Sequence, residues 1–305
     1  MRFGDTPHPI PYQGSKRLLA PLILSFIPTG KFNALLEPFV GSGAVTLATA
    51  KKNLCKRFIV GDSLEPLCGI WQQIVNEPLS LSDQYAKIWH DQFPDPIAFF
   101  NGVRQQFNAD RSSSKLLFLL ARCVKNAVRF NPKGDFNQSP DKRRLGTKPE
   151  TMKAEIEAAH RLLRGRCEVR CGDYKTILEM ATPQDVVYMD PPYQGTSEGR
   201  DSRYHKGVER SDLMFALEKL NLRGVPFILS YDGACGDKTY GEALPESLSL
   251  RRVLVDAGRS SQATLNGKDT RTVESIYVSS GLAAGMTVPE VVSPGFVRQQ
   301  AALFG

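Results

Sequence analysis

Residues 188–193 read Tyr-Met-Asp-Pro-Pro-Tyr, and this stretch carries the most pointed chemistry in the chain. Asp190 follows a short apolar run, Asp185 to Met189, so its carboxylate falls at the end of a predicted buried strand. Pro191 and Pro192 fix their own φ, donate no N–H, and restrict the residue before each of them. The segment is a stiff arch with free carbonyls, closed by the flat ring of Tyr193. Carboxylate, free carbonyl and ring together suit an exocyclic amine on a planar heterocycle. Two plainer roles also fit: Asp-Pro opens many turns, and Pro-Pro-Tyr serves as a short ligand for peptide-binding modules.

Three further acids stand at predicted strand ends. Glu37 closes the run Ala34-Leu35-Leu36 and is followed by Pro38-Phe39-Val40-Gly41-Ser42-Gly43. Such a glycine turn between strand and helix lets a nucleotide approach the backbone. No Gly-Lys-Ser/Thr follows it, and Thr46 stands where a dinucleotide fingerprint needs its third glycine. Glu37 disfavours a pyrophosphate there and suits a cation such as an α-amino group or a sulfonium. Asp62 ends the next strand and is placed for ribose hydroxyls, or for capping the helix behind it. Asp173 and Tyr174 follow Arg170-Cys171-Gly172; Asp173 either holds an adenine amine under the Tyr174 ring or caps the next helix. Near the N-terminus, Tyr12-Gln13-Gly14-Ser15-Lys16 precedes a predicted helix over 17–26. Ser15 is its candidate cap, and Lys16 is long enough to reach a carboxylate or a phosphate.

The elements that position these residues follow a βαβα opening: strand 34–38, helix 44–50, strand 57–60, helix 65–75. Strand signals return at 168–171, 185–189, 226–231 and 275–278, with an amphipathic helix over 214–222. This predicts an α/β fold with a doubly wound, mostly parallel sheet. From about 80 to 164 the pattern is helical and punctuated by prolines, which reads as an insertion. The expected division is 1–75 with 166–285, an inserted unit over 76–165, and a loosely held tail over 286–305.

The 305 residues carry 39 Lys and Arg against 32 Asp and Glu, a net charge of +7. The excess is concentrated: Arg122, Lys125, Arg129, Lys133, Lys142, Arg143, Arg144 and Lys148 face only Asp135 and Asp141 in that window, and Arg161, Arg164, Arg166 and Arg170 follow. A solvated face is the ordinary fate of such runs, but this concentration favours a surface that tracks phosphates. The longest apolar run, Leu116 to Ala121, is far too short to cross a bilayer. Residues 1–7 lack the apolar core of a signal peptide, so a cytoplasmic location is expected. The six cysteines form no Cys-x-x-Cys pair and the four histidines are isolated, so no metal is expected.

The ordered set Tyr12–Lys16, Leu36–Val45, Asp62, Asn126–Asn137 and Asp190–Tyr193 resembles the α-group, Dam-like DNA adenine N6-methyltransferases over residues 8–280 or so. The resemblance implies a Rossmann-like methyltransferase sheet with an inserted, mainly helical DNA target-recognition domain. It implies S-adenosyl-L-methionine as cofactor. Lys16 and the turn containing Pro38, Phe39, Gly41 and Gly43 hold its methionine part, Glu37 its amino group and Asp62 its ribose, with Tyr12, Asp173 and Tyr174 lining the pocket. Asp190 and the Pro191 carbonyl accept from the adenine amine, Pro192 shapes the arch, and Tyr193 stacks on the base. Asn126, Arg129, Asn131, Lys133 and Asn137 form the loop facing double-stranded DNA, with Arg143 and Arg144 beyond it. The Asn126-to-Arg129 spacing is one residue shorter than in Dam enzymes. A monomer or weak dimer is expected, and a cognate restriction endonuclease is a candidate partner. Methylation of RNA, methylation of protein glutamine and silent DNA binding are the competing readings. An Asn where this chain has Asp190 marks the glutamine enzymes, and decay at Glu37, Asp62 or Asp190 would mark the silent one.

Overall fold

The computed structural model describes residues 6–192, 208–235, 238–259, 271–284, 288–293, 295–296 and 299–300. Its centre is a nine-stranded sheet of β1 (Phe32–Glu37), β2 (Cys55–Asp62), β3 (Cys167–Cys171), β4 (Val186–Met189), β5 (Phe227–Cys235), β6 (Lys238–Tyr240), β7 (Arg251–Arg259), β8 (Arg271–Val278) and β9 (Val291–Val292). The order is β3-β2-β1-β4-β5-β8-β7-β9, with β6 paired to β5. Strands β1 to β5 are mutually parallel, while β8 runs antiparallel between β5 and β7. This is the expected α/β, mostly parallel, Rossmann-like arrangement.

The order in which strands are added reverses between β1 and β4, which lie side by side and parallel with Leu36 opposite Val187. Open sheets leave a crevice outside the carboxyl ends of the strands at such a point. Alternation of side chains fills both faces: Leu35, Phe58, Val186 and Tyr188 belong to one apolar cluster, and Leu36, Ile59, Val187 and Met189 to the other. The second face is covered by α8 (Tyr174–Met180) and α9 (Arg210–Leu222). The first is covered by α1 (Ala20–Ser25), α2 (Ala44–Lys51) and α3 (Glu65–Asn76), then by α4 (Pro78–His90), α5 (Pro96–Asp110), α6 (Ser113–Arg122) and α7 (Pro149–Leu163). Burial is continuous from Phe58 of β2 through Trp71 of α3 to Phe118 of α6 and Ile156 of α7. The apolar run at 116–121 is thus a core helix. No described helix is long and apolar enough to cross a membrane.

Three local expectations need correction. The helix over 17–26 is split into a single 3-10 turn, Lys16–Leu18, and α1, whose second residue is Pro21. Ser15 makes no cap there; it accepts a hydrogen bond from Ser42 Oγ at 2.8 Å instead. Strand β7 escaped the sequence reading, because Arg251, Arg252 and Asp256 break its apolar run. It forms as the partner of β8, with Val253 opposite Ile276 and both fully buried.

Candidate active site

Acids from four successive strand ends meet at one cavity of about 380 Å³. Glu37 closes β1, Asp62 closes β2, Asp173 follows β3, and Asp190 follows β4. Tyr12, Lys16, Phe39, Gly41, Tyr174, Tyr188, Pro191 and Pro192 share the lining. Seven of the lining residues are carboxylic acids and two are lysines, so the chamber favours a cation.

Each acid is fixed by the backbone around it. Glu37 Oε2 accepts the Thr46 N–H at 3.0 Å and the Thr46 hydroxyl as well, which ties the strand end to the first turn of α2. Burial pushes the Glu37 carboxyl up to about 8, against the pull of those two bonds and with a further push from Asp190. Asp62 Oδ2 accepts the Gly41 N–H at 3.3 Å, and Oδ1 accepts the Leu64 N–H at 3.0 Å. Asp173 caps α8 through the Lys175 N–H at 2.9 Å, as one of the two expectations had it, and it also lines the cavity. Tyr174 packs its ring on Phe39, centroids 5.1 Å apart.

The glycine turn is shaped by Trp71. Its indole N–H donates to the Gly41 carbonyl at 3.1 Å, and a Cβ on Gly43 would lie 2.4 Å from its ring. Gly43 has φ +61°, a region that glycine adopts without strain. On the opposite wall, Lys16 Nζ lies 2.9 Å from Asp190 Oδ1. Burial raises the Asp190 carboxyl, Lys16 pulls it down, and Glu274 pushes it up again. Tyr188 donates or accepts across 3.0 Å to Ser230 beneath the arch. Tyr193 lies outside the described residues.

The predicted loop is a tight hairpin that begins beside the cavity. Gln13 N–H donates to the Asn126 carbonyl at 2.9 Å, and Val128 lines the cavity. Asn126 Nδ2 donates to the Leu120 carbonyl at 2.8 Å, so its amide closes the end of α6. Asn131 Oδ1 accepts from the N–H groups of Lys133 and Asp135, both at 2.9 Å, folding the tip around Gly134. Phe130 and Phe136 bridge the two arms and are buried. Arg129 is half-buried, while Lys133 and Asn137 are exposed on the hairpin and Arg143 and Arg144 beyond it. Arg144 forms an ion pair with Asp141 at 2.7 Å.

Not all of the basic excess faces outward. Arg122 is 2% exposed and holds Gln92 Oε1 at 3.2 Å together with the Asp141 carbonyl, so it is a strut beneath the 139–146 segment. Arg166 grips the carbonyls of Leu162 and Ala50 and lies over the Phe58 ring. These two are structural cations: a side-chain amide and a loop carbonyl engage Arg122, and carbonyls near the ends of α7 and α2 engage Arg166.

Comparison with known families decides the assignment. A model of the D12 class N6 adenine-specific DNA methyltransferases matches residues 12–273. The chain belongs to that family. Its relatives include the DNA N-6-adenine-methyltransferase of Escherichia phage P1, 28% identical over 233 residues that cover 73% of this chain and 29% of that protein. The Retron Ec67 DNA adenine methylase of Escherichia coli is 26% identical over 262 residues, covering 83% of this chain and 87% of that protein. Type II methyltransferase M.MjaIII of Methanocaldococcus jannaschii is 24% identical over 221 residues, covering 66% and 74%. The chain thus spans under a third of the length of the phage P1 protein and most of the length of the other two.

Several lining residues escaped the sequence reading. Glu274 comes from β8, and Glu209 and Asp212 from the start of α9. The hairpin also rests on α5: Asn108 Oδ1 accepts the Phe136 N–H at 2.8 Å and its Nδ2 donates to the Phe136 carbonyl at 3.2 Å, while Arg104 donates to the Gln138 carbonyl at 3.1 Å. A helix holding a loop 28 residues away leaves no local signal in the sequence.

Proposed function

We propose that the protein transfers the methyl group of S-adenosyl-L-methionine to the N6 amine of an adenine flipped out of duplex DNA. The observation that carries this reading is the single cavity shared by Glu37, Asp62, Lys16 and the Asp190–Pro192 arch. The residues fit the cofactor on chemical grounds. Glu37 is a buried acid poised to ionise against an ammonium, Asp62 lines the cavity at the end of β2 where an acid suits ribose hydroxyls, and Phe39 with Tyr174 offers an aromatic wall. When bound, the cofactor supplies an electrophilic methyl on a cationic sulfur.

The chain's own residues do the rest. An amine conjugated into its ring is a poor nucleophile, and its proton is too weakly acidic for a free carboxylate to remove first. Asp190 and the Pro191 carbonyl act as fixed acceptors where positive charge develops on the nitrogen as it attacks. Orientation within the rigid arch supplies much of the remaining rate. Extracting the base costs roughly a few kcal/mol, and stacking on Tyr193 recovers about 1–3 kcal/mol.

In this reading residues 76–165 form the target-recognition unit. The hairpin tip at Lys133 and Asn137 and the exposed Arg143 approach the duplex, Arg129 lies at its root, and Asn126 and Asn131 act by shaping it. Arg144 reaches phosphate only by leaving Asp141. The protein then works in the cytoplasm, alone or beside a restriction endonuclease of the same specificity.

The test supplies labelled S-adenosyl-L-methionine with unmethylated plasmid DNA or RNA of matched sequence, followed by nucleoside analysis. The expected product is N6-methyladenine in DNA. Asp190→Ala abolishes it while cofactor binding persists. Label confined to RNA, or full activity in Asp190→Ala, overturns the proposal.

A further inference from the structure

Lys16 is held by two carboxylates, one following β4 and one on β8. Its Nζ lies 2.9 Å from Asp190 Oδ1 and 3.6 Å from Glu274 Oε2, and it reaches the Gly14 carbonyl at 3.4 Å. Lys16 belongs to the N-terminal turn, Asp190 to the end of β4, and Glu274 to β8, where it stands opposite Gly233 of β5. The lysine is 9% exposed and both acids 22%, so solvent screens this triad weakly.

This arrangement bears on the chemistry. An amine attacking a methyl group becomes positively charged, and Asp190 has to stabilise that charge. An ammonium 2.9 Å from Asp190 does the opposite, because it repels the developing cation and occupies one of the two carboxylate oxygens. Simply withdrawing Lys16 from Asp190 would leave a poorly solvated cation without a partner, which is costly. Glu274 removes that cost, since its Oε2 lies within reach of the same ammonium, at 3.6 Å.

Resting on the methyl-transfer reading, we propose that Glu274 is a positioning residue that takes the Lys16 ammonium as the target amine reaches Asp190. The ion pair is exchanged, from Lys16–Asp190 to Lys16–Glu274, and no covalent bond changes. Lys16 in this account holds Asp190 in place before the base arrives and yields it afterwards.

The experiment is single-turnover methylation of unmethylated plasmid DNA at saturating cofactor by wild type, Glu274→Gln, Glu274→Asp, Lys16→Met and the Lys16→Met/Glu274→Gln double variant. Glu274→Gln lowers the rate constant about tenfold, with cofactor affinity held within about twofold, and Glu274→Asp recovers part of the loss. In the Lys16→Met background, Glu274→Gln costs less than about twofold more, because its partner is already gone. A wild-type rate in Glu274→Gln, a loss expressed only as cofactor affinity, or a full additional loss in the double variant overturns the proposal. An inactive wild type in the same assay is a failure of the methyltransferase reading, and it is distinguished from the others by that arm alone.

Discussion

Thr46 donates both its backbone N–H, at 3.0 Å, and its hydroxyl to one oxygen of Glu37, so the acid that ends β1 also anchors the start of α2. Burial holds that acid largely protonated at neutral pH, with its carboxyl pushed up to about 8. An ammonium arriving beside it drives the proton off. Calorimetry of S-adenosyl-L-methionine binding at pH 7 in buffers of different ionisation enthalpy is expected to show release of up to about one proton, fading above pH 9. A buffer-independent enthalpy rules out Glu37 as the site of the amino group.

The same shift makes a stability prediction of opposite sense to the usual carboxylate case. The folded-state value lies above the ordinary 4.5, so the unfolded chain loses its proton first as pH rises. The stability associated with neutral Glu37 is therefore fully present below about pH 4.5 and is lost progressively up to about pH 8. Glu37→Gln is expected to raise the unfolding free energy of the cofactor-free protein more at pH 8 than at pH 5, by about a few kcal/mol, read from denaturant unfolding and from a larger rise in melting temperature at pH 8. Equal shifts at both pH values would place the titration elsewhere.

Gly43→Ala should damage the turn in two ways. Its φ of +61° disfavours a side chain by about 1–2 kcal/mol, and the new Cβ would sit 2.4 Å from the buried Trp71 ring. Moving that ring also strains its bond to the Gly41 carbonyl. A drop of several degrees in melting temperature is expected, with cofactor affinity weakened about tenfold, or 1.4 kcal/mol. Unaltered affinity in a destabilised protein would separate the turn from the cofactor.

Legibility in the sequence follows from how local each signal is. Glu37, Asp62 and Asp190 each end an apolar run, and strand ends at a reversal of sheet order are where ligands sit, so the three could be placed together without coordinates. Glu274 could not. It lies in a mixed polar stretch, and its approach to Lys16 depends on β8 inserting antiparallel between β5 and β7. Arg122 misled in the other direction, since a cation in a basic run reads as solvent-facing until Gln92 and Asp141 are seen to enclose it. Asp173 shows the limit of choosing between a cap and a lining residue, because a carboxylate at a helix start beside a cavity occupies both positions.

Asn108 offers a way to disturb the hairpin from behind. Its amide makes both a donor and an acceptor bond to the Phe136 backbone, and removing it leaves two partly buried polar groups unpaired. Asn108→Ala should loosen the loop by about 1–3 kcal/mol. DNA affinity is expected to fall about tenfold while cofactor affinity stays within about twofold, measured by separate titrations of each ligand. Equal loss of both would mean the helix supports the whole site and not the loop.

Arg143 and Arg144 are neighbours in sequence but differ electrostatically. Arg144 pairs with Asp141 through both Nε and Nη2, each at 2.7 Å, whereas Arg143 is exposed with only its backbone N–H engaged by Asp141. A phosphate contact by Arg143 releases counterions outright; one by Arg144 first requires breaking its pair. Arg143→Gln is therefore expected to reduce the slope of log affinity against log salt by about 0.9, and Arg144→Gln by distinctly less. Titrations of a fixed duplex between low and moderate salt measure both slopes. Were Arg144→Gln to flatten the slope as much as Arg143→Gln, the Asp141 pair would have to open on DNA, and Asp141→Asn should then strengthen binding.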